Sequence, residues 1–257
     1  MWIDAPTNEL NLDAHPPRLS PRAALFLDLD GTLMPFAPRP QDVHLAPWVV
    51  PALERLTQQL DGAMAIVSGR PLSELDRLLR PLRPPAAGVH GIERRLADGR
   101  VRVHSAESPL SVRRAAQALA DQHPDLLLES KPGGLALHYR VQPHLGARCL
   151  AELGRALRRV EGWELLQGHC VAEVKPLRVS KGGAVAAFMA EPAFAARVPV
   201  FVGDDVSDED GIAAAQAVGG VGVKVGPGAS CAHYRLADPD AVRRWLGASI
   251  DTLGAAP

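Results

Sequence analysis

The stretch LFLDLDGT, Leu25 to Thr32, ends an apolar run in two aspartates separated by one leucine. On a strand, residues two apart point to the same face, so Asp28 and Asp30 would aim both carboxylates at one spot, with Gly31 letting the chain turn just beyond. Carboxylates converging there can act as nucleophile, as general acid and base, or as ligands of a hard cation. A single aspartate after a strand is a common helix cap, which does not account for two. AIVSGR delivers Ser68 and Gly69, a hydroxyl and backbone amides ahead of a helix, suited to an anion, although Ser68 by itself reads more simply as a turn residue. FVGDDVSDED delivers Asp204, Asp205 and Asp208, which alone read as an acidic helix start favoured by the helix dipole. Brought to one sheet edge, Asp28, Asp30, Asp204, Asp205 and Asp208 would repel each other unless a cation sat among them. Carboxylate oxygen is the ligand Mg2+ prefers, so these five form the expected metal site and Mg2+ is the expected cofactor.

Such a convergence needs parallel strands whose carboxyl ends lie side by side. The runs AALFLD, AMAIVSG, VPVFVGDD and GGVGVKVG are near-continuously apolar, as strands buried on both faces are, and helix-period segments separate them. Between the first two, Val49, Leu53, Leu56 and Leu60 fall on one helical stripe; after the second, PLSELDRLLR opens with a proline suited to a first helical position. The expectation is an α/β fold, a Rossmann-like doubly wound parallel sheet, with ligands outside the carboxyl ends of its strands.

The middle of the chain breaks this rhythm. It reads as a helix over 109–122, strands DLLLESK and GLALHYR, a helix over 144–160, and strands WELLQG and CVAEVKP. This α-β-β-α-β-β order predicts a smaller α+β cap domain inserted into the core. The expected organisation is a loosely ordered leader over 1–21, a core over 22–103 and 176–257, and a cap over 104–175. Along the cap strands Glu129 and Lys131 share a face, as do Ala136, His138 and Arg140, and Glu173 and Lys175. By pattern alone that polar face is the solvated side of an antiparallel sheet.

Composition narrows the partners. A net charge of -1 lacks the basic excess that favours nucleic acid or an anionic membrane, so the expected partner is a small molecule. A monomer is expected. No apolar stretch reaches the length of a signal peptide core or a membrane span. The 3 cysteines stand far apart without a CxxC pair, which suggests neither a disulfide framework nor a zinc site and fits a reducing cytoplasm.

DLDGT at Asp28, Ser68, Lys181 in VSKGGAV and GDDVSDED at Gly203 resemble, in order, the four motifs of the haloacid-dehalogenase superfamily of phosphotransferases. The resemblance implies that Asp28 is the nucleophile that becomes aspartyl-phosphate and that Asp30 is the general acid, then base. It implies that Asp204 holds Mg2+ with the Asp28 carboxylate and the Asp30 backbone carbonyl, supported by Asp205 or Asp208. The chemistry agrees: a carboxylate attacking a phosphate needs the cation and the Lys181 ammonium to neutralise charge, and a sugar alkoxide needs a proton to leave.

More narrowly, VSGRPLSEL, GVHGIERR, ESKPGGLALHYR, EVKPLRVSKGGAV and GDDVSDEDGI resemble segments of the trehalose-6-phosphate phosphatase family, in order, over nearly the whole chain after the leader. That resemblance implies Mg2+-dependent hydrolysis of trehalose 6-phosphate to trehalose and phosphate, with Glu129, Lys131 and Glu173 on the sugar hydroxyls and His90 close by at the core–cap junction. VSD, where a threonine often precedes the aspartate, and the proline-rich leader depart from the family without touching this chemistry. The alternatives are another sugar phosphate, such as sucrose phosphate or mannosyl-phosphoglycerate, a phosphosugar mutase, or a catalytically silent sugar-phosphate-binding regulatory module.

Overall fold

The computed structural model describes residues 15–35, 45–104, 107–131, 133–168, 170–177 and 179–255. Of the expected leader, 1–14 lie outside the described residues. The element order is β1 (Ala23–Leu27), α1 (Val49–Gln59), β2 (Met64–Val67), α2 (Leu72–Leu78), β3 (Ala86–Gly88), β4 (Glu93–Arg95) and β5 (Val101–Val103). There follow α3 (Leu110–Gln122), β6 (Leu127–Lys131), β7 (Gly134–His138), α4 (Gly146–Leu157), β8 (Trp163–Gly168) and β9 (Val171–Pro176). The chain closes with α5 (Lys181–Met189), β10 (Val198–Gly203), α6 (Glu209–Ala217), β11 (Val221–Val225), β12 (Tyr234–Leu236) and α7 (Pro239–Gly254).

Two sheets result. The first has the order β12-β11-β10-β1-β2-β3-β4-β5, parallel from β12 to β3 and closed at one edge by the antiparallel strands β4 and β5. Its middle strands are the apolar runs of the sequence: every residue of β1 and of β2 is buried, as a strand covered by helices on both faces must be. Phe26 of β1 stacks with Phe194 at a centroid distance of 5.6 Å and meets the tilted ring of Phe188 of α5 at 6.0 Å, packing α5 onto the sheet. On the opposite face α1 buries Val49, Leu53 and Leu56, and Leu60 at its C-cap is buried as well, so the whole expected stripe is covered.

The second sheet, β6-β7-β9-β8, is antiparallel throughout. It has a core of its own, in which Leu135, Leu137, Ala172 and Val174 pack against Val112, Ala116 and Leu119 of α3 and Cys149 and Leu153 of α4. The opposite face of these strands is polar, as the alternation predicts. The fold is therefore α/β with an inserted α+β cap.

Register places the chemistry. Leu27 stands beside Val202 of β10 and Ile66 of β2, so Asp28, Asp204 and Ser68 all emerge at the same carboxyl edge within two residues of that row. Away from this edge, residues 15–21 pack against the last helix. Leu19 is buried, its amide donates to Ser249 Oγ at 3.3 Å, and Trp245 Nε1 donates to the Pro17 carbonyl at 3.0 Å.

Candidate active site

At the carboxyl edge Asp28 is 3% exposed. The Lys181 ammonium, equally buried, donates to Asp28 Oδ1 at 2.7 Å and to Asp208 Oδ1 at 2.6 Å. Lys181 is placed there as the first residue of α5, whose N-cap Ser180 accepts from the Gly183 amide. Asp208 is wholly buried and fully engaged: its second oxygen accepts from the amides of Asp204 and Asp205 at 3.1 and 3.0 Å. It thereby sets the loop after β10 in place. Asp205 closes the reciprocal half of that capping box and points its carboxylate at the Val206 amide, 2.7 Å away.

Charge does not balance here. Asp28, Asp204 and Asp208 each offer a carboxylate oxygen within 4.8 Å of the others; Lys181 pairs with two of them, and the other buried ammonium here, Lys224, reaches only the Asp204 backbone carbonyl. Burial pushes the Asp28 carboxyl well above its ordinary range, and the charge of Asp208 adds to the rise, with Lys181 opposing. Burial, then Asp208 and Asp205, push Asp204 up to about 6. Burial alone would lower Lys181, but Asp28 and Asp208 outweigh it and hold its pKa above the ordinary lysine value. Asp204 is further fixed by the Thr32 hydroxyl, which donates to its Oδ1 at 3.3 Å, and by Lys224, which donates to its backbone carbonyl. Gly31 is the residue this crowding demands. It has φ +81°, and a Cβ there would lie 2.3 Å from Asp204 Oδ2.

A divalent cation fits this donor set. Asp28 and Asp204 are hard oxygen ligands whose own repulsion a cation would relieve, whereas Asp208 already spends both oxygens on protein donors.

The expected site residues divide as follows. Asp28, Lys181, Asp204 and Asp208 come together. The Asp30 carboxylate instead lies in a bidentate bond with Arg70, whose Nε and Nη2 donate to its two oxygens at 2.6 Å each. Arg70 also pairs with Glu74 at 2.8 Å. Ser68 is buried and its Oγ accepts from the Arg70 amide at 3.2 Å. The His90 ring covers Gly69, where a Cβ would meet it at 2.9 Å, and both Val89 and His90 adopt positive φ, 47° and 56°, to bring it there. For a β-branched residue such as Val89 that conformation is strained.

On the polar face of the cap sheet Glu129 lies opposite Ala136, which lies opposite Glu173, so two carboxylates flank one small residue across three strands. His138, on the same face, holds Glu129 Oε2 at 2.8 Å. Lys131 ends β6, and its side chain falls outside the described residues. Sequence reasoning missed Arg70, Thr32 and Lys224. The signal for Arg70 was its position directly after the Ser68–Gly69 turn, where a guanidinium faces whatever the turn faces.

Comparison with known proteins places this geometry in a family. The family model described as Trehalose-phosphatase matches residues 26–245. The protein named trehalose-6-phosphate phosphatase of Escherichia coli K12 is 42% identical over 234 residues, covering 90% of this chain and 87% of that relative. A probable trehalose-phosphate phosphatase of Sinorhizobium fredii is 39% identical over 79% of this chain and 78% of its own length. Among solved structures, the C-terminal domain of C. albicans trehalose-6-phosphate phosphatase shares the fold with a TM-score of 0.77 at 23% identity, covering 90% of this chain and 93% of that one. A phosphatase of the haloalkanoate (HAD) enzyme superfamily from Bacteroides thetaiotaomicron shares it at 0.61 and 16% identity, over 98% of both chains. The chain belongs to the trehalose-phosphatase family.

Proposed function

We propose that this chain is a Mg2+-dependent phosphatase that hydrolyses trehalose 6-phosphate to trehalose and phosphate through an aspartyl-phosphate on Asp28. The observation that carries the reading is the buried ammonium of Lys181 at 2.7 Å from Asp28, with Asp204 alongside. In this reading 22–103 and 176–257 are the catalytic core and 104–175 the cap, each with its own buried cluster. No helix among the described residues is long and apolar enough to cross a membrane. The 3 unpaired thiols suit a reducing, cytoplasmic setting, and the reading takes the chain as a monomer.

Asp28 Oδ attacks phosphorus while the bond from phosphorus to the sugar oxygen breaks, and Asp30 gives that oxygen its proton. Water then attacks the phosphorus of aspartyl-phosphate, Asp30 takes the water's proton, and Asp28 is freed as phosphate leaves. Lys181 stays beside the reacting carboxylate throughout, and Ser68 and the Gly69 turn supply donors to the phosphate oxygens. Asp28, Asp204 and the Asp30 carbonyl would hold Mg2+, with Asp208 orienting the loop, and the bound ion would supply charge neutralisation at the transferring phosphoryl group. Acid catalysis requires the Asp30 carboxyl to reach the leaving oxygen. Arg70, which grips both its oxygens at 2.6 Å, must therefore swing with it or hand it over when substrate enters. Glu129 and Glu173 accept from sugar hydroxyls, with Lys131 donating and His90 at the junction, when the cap closes.

Phosphate release from trehalose 6-phosphate, glucose 6-phosphate, sucrose 6-phosphate and mannosyl-3-phosphoglycerate tests the reading. Strong preference for trehalose 6-phosphate, abolished by chelator, is expected; activity concentrated on another sugar would refute the cap assignment. In the same assay Glu129→Gln and Glu173→Gln are each expected to raise KM for trehalose 6-phosphate about tenfold or more, with kcat changed less. Unchanged KM in both would remove the cap carboxylates from substrate recognition.

Metal binding should also appear in stability. A carboxyl raised in the fold binds its proton more tightly than in the unfolded chain, so in chelator the protein loses stability as pH rises from about 4 through about 6, where Asp204 ionises. Mg2+ competes with those protons, so the rise in Tm on adding Mg2+ is expected to be larger at pH 7.5 than at pH 5. Equal shifts at both pH values would show that the ion binds elsewhere.

A further inference from the structure

A second cavity, of about 340 Å3, opens between the hairpin β4–β5 and α5. Its lining includes Arg94, Arg102, His104 and Ser180, all able to donate hydrogen bonds, and no acidic residue. None of Asp28, Asp30, Lys181 or Asp204 lines it, so it is distinct from the catalytic cleft.

The charges in it are arranged at a cost. Arg94 and Arg102 are directly opposed across the antiparallel pair, which puts both side chains on the same face, and like charges so placed destabilise a sheet. Arg94 is drawn inward, its side chain 13% exposed and its guanidinium 5.2 Å above the Phe188 ring. Among the described residues its counter-charge is Glu191, which stands 3.3 Å away without hydrogen-bond alignment and turns its other oxygen to accept from the Ala97 amide. Burial holds Arg94 below the ordinary arginine range, Glu191 restores part of that, and Arg102 lowers it further. Arg102, exposed, makes no ion pair within 4.0 Å among the described residues; its acidic neighbour Asp98, which feels its charge, is bridged to Arg100 instead. Gly183, Ala184 and Ala187 keep the α5 wall low, so the space in front of the arginines stays open.

An anion between Arg94 and Arg102 would turn this repulsion into attraction, and planar guanidinium groups favour tetrahedral oxyanions through paired hydrogen bonds. We propose that this cavity is a second anion site, taking the phosphate group of a small molecule. Its volume exceeds the need of a bare phosphate and matches the lower range of small-molecule sites. Its position gives occupancy a lever. His104 and Val179, both in its lining, are where the chain leaves the core for the cap and where it returns.

Calorimetric titration in chelator, where the carboxylates of the catalytic cleft outnumber Lys181 and repel phosphate, isolates this site. The probes are inorganic phosphate and glucose 6-phosphate, and whichever binds more tightly identifies a free or an esterified phosphate as the occupant. Saturable binding of at least one probe is expected, weakened about tenfold or more in Arg102→Gln. Arg102 is exposed, so the variant should fold, which an unchanged Tm confirms. Absence of saturable binding by either probe, or equal binding by Arg102→Gln, would overturn the proposal.

Discussion

Asp28→Asn is expected to lower kcat for phosphate release by about 10^4-fold or more while leaving the protein as stable as the parent or more so. The two halves of this expectation have one cause. Asp28 is a buried carboxylate whose ionised form is disfavoured by burial and by Asp208 and is sustained by Lys181. An amide of the same shape keeps an oxygen for the Lys181 ammonium and removes one of three negative charges lying within 4.8 Å. Folding loses a repulsion; chemistry loses the only group placed to attack. Asp30→Asn should behave differently, costing about 10^2- to 10^4-fold, the worth of a general acid and base. Rapid acid quench with phosphorus-labelled substrate separates the roles: label is expected on the parent protein and on Asp30→Asn, and none on Asp28→Asn. Retention of more than about 1% of kcat by Asp28→Asn would end its assignment as nucleophile.

The positions of Asp28 and Asp204 were legible because each follows an apolar run, and a buried parallel strand announces its end by its first charged residue. The cap was legible for a related reason. Its strands alternate strictly enough that Glu129 and Glu173 fall on the polar face and Leu135, Leu137 and Val174 on the covered one. Strands β3, β4 and β5 were not, since each is 3 residues long and the last two carry Glu93, Arg94, Arg95 and Arg102 where a core strand would carry valine. They form because β3 offers an edge to which β4 adds antiparallel, and the turn at 96–100 then folds β5 back onto β4. Which acid of DDVSDED turns inward was equally hidden. Residues 204, 205 and 208 are the same amino acid in the same run, and only the tight turn Val206–Asp208 directs Asp208 to Lys181 while leaving Asp205 at the surface. Arg70 and Asp30 are 40 residues apart and meet only because β1 and β2 are neighbours in the sheet. The position of His90 depends on two positive φ angles that nothing in GVHG except its glycines suggests.

Lys181→Met is expected to abolish phosphatase activity and to destabilise the fold by about 3–5 kcal/mol, the cost of leaving buried charge without its partner. For a chain of this size that corresponds to a fall in Tm of roughly 6–20 °C. The loss is large because Lys181 neutralises two carboxylates at once, at 2.6 and 2.7 Å, in a place where neither reaches water. Methionine fills the volume of the lysine stem, so the cavity contribution is small and the effect is electrostatic. The double variant Lys181→Met with Asp28→Asn isolates that origin. It removes one of the two stranded charges and should recover a substantial part of the lost stability, while activity stays absent because both nucleophile and ammonium are gone. Thermal unfolding of the three proteins in chelator reads the result. If the double variant is no more stable than Lys181→Met, the ammonium holds the loop after β10 by geometry alone. The pairing of Asp28 with Asp208 across Lys181 would then carry none of the stability assigned to it.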